Sequence, residues 1–176
     1  MMAAVESFSY IANPNCHTLI LGTMPGTASL ARQQYYAHTR NAFWRIIGDL
    51  FAIDPRADYA DRILQLAEKN IAVWDVLQTC VRKGSLDAAI ETESIVPNDI
   101  AGFLTKHQSI QRICFNGGTA AKLFRRHIQS TLTAHSHIDY LPLPSTSPAH
   151  AGMSYADKLQ AWRLITTPLF YPGDQN

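Results

Sequence analysis

Cysteine is scarce in this chain. Its three thiols, Cys16, Cys80 and Cys114, are odd in number, widely spaced and form no CxxC pair. That argues against a zinc or iron–sulfur framework, and for reduced thiols in a cytoplasmic compartment. No apolar run approaches the length of a membrane span, and the opening MMAAVESFSY lacks the charged-then-apolar signature of a signal peptide. No membrane association is expected. A GxSxG elbow and a GxxxxGK[ST] phosphate loop are both missing, which turns the reading away from the hydrolases and nucleotidases built on them. His135, His137 and His150 make only a weak metal set, because no carboxylate or cysteine accompanies the HxH pair.

Acidic residues are missing from two long stretches. Ten of the fourteen lie between Asp49 and Asp99. None falls between Ser7 and Gly48, where Arg32, Arg40 and Arg45 stand. Nor is there one from Ile100 to Ile138, a block holding Lys106, Arg112, Lys122, Arg125 and Arg126. Two basic blocks around an acidic one suit a protein with a positive face and an anionic partner. Solvated helix faces that happen to lack glutamate would give the same pattern.

What is present reads as one domain over residues 1–176, with residues 1–16 as a lead-in turning at Asn13-Pro14 and 168–176 as a tail. Apolar runs at Thr18–Leu21, Ile71–Val76, Ile110–Phe115 and His137–Leu143 predict four strands. Helices are predicted over Ala42–Phe51 with Asn41 as N-cap, Asp58–Lys69, Asn98–Lys106 with Pro97 at its start, Ala120–Gln129 and Ser154–Thr166. Pro168 and Pro172 end the regular structure, and Lys83-Gly84-Ser85 marks a loop. Strands alternating with helices imply a three-layer α/β/α fold on a four-stranded, mostly parallel sheet.

In such a sheet the carboxyl ends of the strands share one edge, so the loops after Leu21, Phe115 and Leu143 converge. The first holds Gly22-Thr23-Met24-Pro25-Gly26, then Tyr35, Tyr36, His38, Arg40 and Asn41. Tyr35 and Tyr36 offer flat faces on which an extruded base can stack, although one of them is expected in the core. Met24 and Pro25 suit an apolar wall. Asn116 presents a donor beside an acceptor, which matches the lactam edge of uracil, hypoxanthine or xanthine, or else serves a turn or helix cap. The third loop, Pro144–Gly152, carries hydroxyls at Ser145, Thr146 and Ser147 that suit phosphate oxygens or a plain solvated turn.

Taken together, GTMPG followed by SLARQQYYAHTRNAFW, then WDVLQTC, GSLDAAI, FNG and LPSTSPAH, resemble the uracil-DNA glycosylase superfamily. More closely they resemble its hypoxanthine-DNA (deoxyinosine) glycosylase branch. The matches run in order from about Leu19 to Trp162. The resemblance implies a uracil-DNA glycosylase-like fold and a monofunctional DNA glycosylase of base excision repair, with no cofactor. It implies DNA containing deaminated bases as partner, with deoxyinosine preferred over uracil or xanthine; a monomer is expected. A mismatch-specific G:U or G:T glycosylase, and a catalytically weak DNA-binding relative, are the alternatives.

Residue by residue, the resemblance places Met24 where relatives carry a water-activating Asp or Asn, and shifts that task to Asn41. Tyr36 takes the stacking position, and Asn116 the base-reading one, with Gly22, Thr23, Met24 and Pro25 around the base. Ser29, Ser145, Thr146, Ser147 and His150 are the expected DNA contacts. Leu143 stands where many relatives have a histidine that stabilises the leaving base.

Overall fold

The computed structural model describes residues 4–169. A short strand, β1 (Ala4–Glu6), precedes β2 (Thr18–Gly22). Helix α1 (Thr27–Arg32) follows at once, then α2 (Phe43–Phe51) and α3 (Tyr59–Glu68). Next come β3 (Ile71–Asp75), β4 (Leu77–Val81) and β5 (Val96–Pro97), then α4 (Ile100–Lys106). The chain continues through β6 (Arg112–Asn116), α5 (Gly118–His127), β7 (Asp139–Leu143) and α6 (Tyr155–Trp162).

The main sheet has the order β3-β2-β6-β7 and all its pairings are parallel. Its two central strands, β2 and β6, are buried at every residue, as expected where helices cover both faces. Side chains alternate between two apolar layers. Leu19, Leu21, Ile113 and Phe115 pack with α4 and α5, through Phe103, Leu104, Ala120 and Phe124. Ile20, Cys114 and Val73 pack with α2, α3 and α6, through Phe43, Ile46, Leu66 and Trp162. Strand β7 is an edge strand and carries Pro142, whose missing N–H costs nothing there. At the other edge, Ile11 bridges to Val73 and covers β3.

The four-stranded parallel sheet agrees with the sequence reading; several elements around it do not. Strands β1, β4 and β5 form a second, antiparallel sheet of order β1-β4-β5 that no local pattern announced. Its pairings join Ala4 to Val81, across most of the first half of the chain, so part of the supposed lead-in is structural. Pro97 belongs to β5, and Asp99 caps α4 by accepting a hydrogen bond from Gly102 N–H. Helix α5 starts two residues earlier than predicted, at Gly118. The last predicted helix is α6 followed by a 3-10 turn, Arg163–Thr166. Pro172 lies outside the described residues.

Arg112 leaves the expected positive face. It is buried at the amino end of β6, bonded to Asp139 at 3.0 Å and to the carbonyls of Leu164 and Thr167. Among the described residues no helix is long and apolar enough to cross a membrane. The three cysteines are free and buried.

Candidate active site

The carboxyl edge of the main sheet presents one row of residues. Gly22 pairs with Asp75 across β2 and β3, Leu21 with Phe115 across β2 and β6, and Asn116 with Leu143 across β6 and β7. Gly22 therefore stands between Asp75 and Asn116 with no side chain of its own. A methyl there would lie 2.5 Å from Asp75 Oδ1 and 3.1 Å from the Tyr36 hydroxyl. Only glycine leaves room for both groups. Above this row opens a cavity of about 320 Å³.

Every candidate residue drawn from the sequence lines that cavity: Asn41, Gly22, Thr23, Met24, Pro25, Tyr36, Asn116, Ser29, Ser145, Thr146, Ser147 and His150. Their surroundings give them different tasks. Met24 is 7% exposed and packs into the core, so it can offer only apolar wall. Tyr35 is the core tyrosine of the pair, with its hydroxyl held by the carbonyls of Phe8 and Ser9. Tyr36 stacks on Phe43 with ring centroids 3.9 Å apart. Its backbone sits at φ 56°, a left-handed conformation that costs a bulky residue about 1–3 kcal/mol. Ser29 and α1 hold it there: Ser29 is buried, and its Oγ accepts from Ala37 N–H at 3.1 Å. That bond uses one lone pair of the hydroxyl and leaves its O–H free to donate, although the side chain is buried.

Asn41 is half-buried at the foot of α2. The helix begins at Phe43 with Ala42 in the cap position, one residue later than expected. Asn41 still stabilises that end, because its Oδ1 accepts from Phe43 N–H at 2.9 Å. The same bond fixes the orientation of the carboxamide. Next to it, Ala42 N–H donates to the carbonyl of Thr146, tying the first loop to the third.

Asn116 requires the clearest correction. Its carboxamide does not offer a free donor–acceptor edge. Nδ2 donates to Thr146 Oγ1 and Oδ1 accepts from Thr146 N–H, both at 2.9 Å. Both residues are buried, Thr146 to 1% exposure, so the threonine expected at phosphate is instead the partner of the asparagine. One amide N–H of Asn116 remains for a ligand. Replacing Thr146 by valine keeps the shape and strands that Nδ2; we expect a loss of about 1–3 kcal/mol in urea denaturation.

The third loop is braced from α6: Trp162 Nε1–H donates to the carbonyl of Pro144 at 2.9 Å, and Lys158 Nζ reaches that of Ser147 at 3.5 Å. Ser145 Oγ accepts from Ser147 N–H and Ser147 Oγ from Ala149 N–H. His150 is exposed at the rim, and Leu143 is core. Among the described residues no group of three His, Cys, Asp or Glu side chains converges as a metal site.

Three charged residues on the second strand–loop segment escaped the sequence reading. Asp75 lines the cavity at 3% exposure, and its Oδ2 has no hydrogen-bond partner. Burial, with some help from Asp87, pushes its pKa up to about 8 against the opposing pull of Arg82. The Tyr36 hydroxyl is likewise buried and unpartnered. Burial and the nearby Asp75 carboxyl raise its pKa far above the phenol range, and the neighbouring Asn116 carboxamide opposes this. Asp87 also lines the cavity, and burial raises its pKa too. Arg82, fully buried, holds the loop from behind. It donates to the carbonyls of Met24, Pro25 and Gly84 and pairs with Asp87 at 3.7 Å. WDVLQTC and GSLDAAI contain or flank these residues, but nothing in the motifs says which acid turns inward.

Residues 8–166 match the family profile described as the uracil DNA glycosylase superfamily. The chain belongs to that superfamily. A Methanosarcina acetivorans protein named hypoxanthine DNA glycosylase is 34% identical over 118 residues, 66% of this chain and 73% of the relative. A Methanosarcina barkeri protein of the same name is 32% identical over 113 residues, 64% and 70% of the two chains. A solution NMR structure from Methanosarcina acetivorans, provisionally named a uracil DNA glycosylase, superposes with a TM-score of 0.75 at 27% identity. That superposition covers 94% of this chain and all of the other. The chain is thus a DNA glycosylase, an enzyme that cleaves the bond between base and deoxyribose.

Proposed function

We propose that the protein releases deaminated bases from DNA in base excision repair, with hypoxanthine preferred and uracil or xanthine weaker. The observation that carries this reading is the cavity itself. At about 320 Å³ it lies at the small end of the range for small-molecule sites, about 300–1,000 Å³, and has an aromatic–apolar wall of Tyr36, Met24 and Pro25. Its size and flat wall suit a single base turned out of the helix. The names carried by the two Methanosarcina relatives support hypoxanthine as that base.

Breaking the N-glycosidic bond leaves positive charge on the sugar and negative charge on the departing base. Leu143 carries no donor to meet that negative charge, and donors on the sheet edge can do so, including the remaining N–H of Asn116. Asn41 is the group for water. An amide has no useful basicity, so it cannot take a proton. Its Oδ1 has a second lone pair beyond the one bonded to Phe43 N–H, and this can hold a water against C1′. Water adds to the sugar as the cation forms, and its proton passes to solvent or to the released base anion.

The substrate is decided by alkaline cleavage of oligonucleotides carrying deoxyinosine, deoxyuridine or deoxyxanthosine after incubation with the protein. Strand breaks at inosine are expected to form fastest. Efficient uracil release with none from inosine would overturn the preference.

A further inference from the structure

We infer that Asp75, not Asn116, reads the base, pairing as a neutral carboxylic acid with the lactam edge of the extruded nucleobase. This rests on the base-release reading above and names the residue that recognises the base. Asn116 has closed its paired edge on Thr146. Asp75 stands one strand away on the other side of Gly22, lines the same cavity, and is the polar group there whose Oδ2 lies buried without a partner.

A protonated carboxyl carries an acceptor oxygen and an O–H donor on adjacent atoms. A lactam carries the complement, a ring N–H beside a carbonyl. The two close a ring of two hydrogen bonds: the acid carbonyl accepts from the ring N–H, and the acid O–H donates to the base oxygen. As the glycosidic bond breaks, negative charge spreads to that oxygen, and the donated bond strengthens. A carboxyl kept neutral by its site is an effective donor to such charge. An ionised Asp75 would keep one bond and repel the oxygen. Adenine can also pair with a neutral acid whose proton sits on the other oxygen, so rejection of adenine falls to its stronger hold in the duplex.

The surroundings favour the neutral form. Tyr35 and Tyr36 face Asp75 from the loop after α1, and burial keeps both phenols protonated. Asp87, from the 3-10 turn after β4, repels a charge on Asp75; Arg82 alone attracts one. His38 and His150 stand elsewhere in the cavity lining.

The test compares base release by the wild type, Asp75→Asn and Asp75→Ala from pH 6 to pH 10 under single-turnover conditions. Asparagine presents the same donor–acceptor edge without a titrating proton, so Asp75→Asn is expected within about tenfold of wild type at pH 7. Asp75→Ala is expected to lose about 100-fold or more. The rate ratio of Asp75→Asn to wild type cancels ionisation of the base itself. It is expected to be flat below about pH 8 and to rise tenfold per pH unit above it. A ratio flat throughout overturns the inference, as does an Asp75→Asn protein as inactive as Asp75→Ala, which would mean the carboxylate acts as a base on water. If Asp75→Ala fails to fold, the asparagine profile decides alone. Should the wild type release uracil or xanthine but not hypoxanthine, the substrate preference fails while the same variants test Asp75 on that base. Release of no base fails both readings.

Discussion

Asn41→Ala is expected to lose about 10²–10³-fold in the rate of base release while the protein stays folded. The side chain makes one internal bond, Oδ1 to Phe43 N–H at 2.9 Å, and lines the cavity beside it. Loss of that bond alone costs about 1 kcal/mol, the ordinary value of a helix-end cap, and leaves the remaining contacts of α2 with the core in place. A catalytic loss far larger than the stability loss therefore separates water positioning from capping. Asn41→Asp keeps an oxygen for Phe43 and adds a base, so it should stay within about tenfold of wild type near neutral pH. Single-turnover rates beside thermal melts of the same preparations give both numbers. Near-wild-type release by the alanine variant, with stability down by about 1 kcal/mol, would reduce Asn41 to a cap.

Arg82→Ala is expected to be the most damaging single change away from the cavity surface. The guanidinium is wholly buried and is held by three carbonyls, of Met24, Pro25 and Gly84, and by Asp87. Truncation leaves Asp87 without its cation and removes a donor from each of those carbonyls. Asp87 is about a third exposed, so most of the loss comes from the buried carbonyls deprived of a charged donor, bonds worth about 1.5–3 kcal/mol each. A net loss of about 3 kcal/mol lowers Tm by roughly 10 °C for a domain of this size. Base release should fall as well, because the guanidinium is what fastens the Met24-Pro25 turn against the loop after β4. Arg82→Lys should rescue little of either, since a single ammonium cannot reach both sides of the fork. A melt within about 2 °C of wild type would show that the loop is held by its other contacts, such as Thr27 N–H to Ser85 Oγ.

The parallel sheet was legible because each of its strands is a local apolar run, and three of the four end in glycine, asparagine or a proline loop. Burial on both faces writes that pattern directly into the residues of β2 and β6. The second sheet was not legible. Strand β5 has two residues, and β1 has its partner in β4, far along the chain; no short window contains both halves of such a pairing. Charge patterning misled at Arg112, since a guanidinium on an internal strand and one on a surface helix look alike in sequence.

The convergence of three loops on one cavity followed from the sequence alone, because parallel strands must place their carboxyl ends on one edge. Met24 and Pro25 as apolar wall were read from the same loop, whereas the place of Asn41 beside it came from the family resemblance. What only the tertiary structure decided is how the polar groups of that edge spend their hydrogen bonds. Asn116 and Thr146 stand 30 residues apart and bond each other twice, and Ser29 Oγ accepts from Ala37 N–H. Asp75, an ordinary acid in the run WDVL, is left buried and unpartnered over a glycine. A residue's type says what bonds it can make, but only the packed chain says which of them are still free for a base.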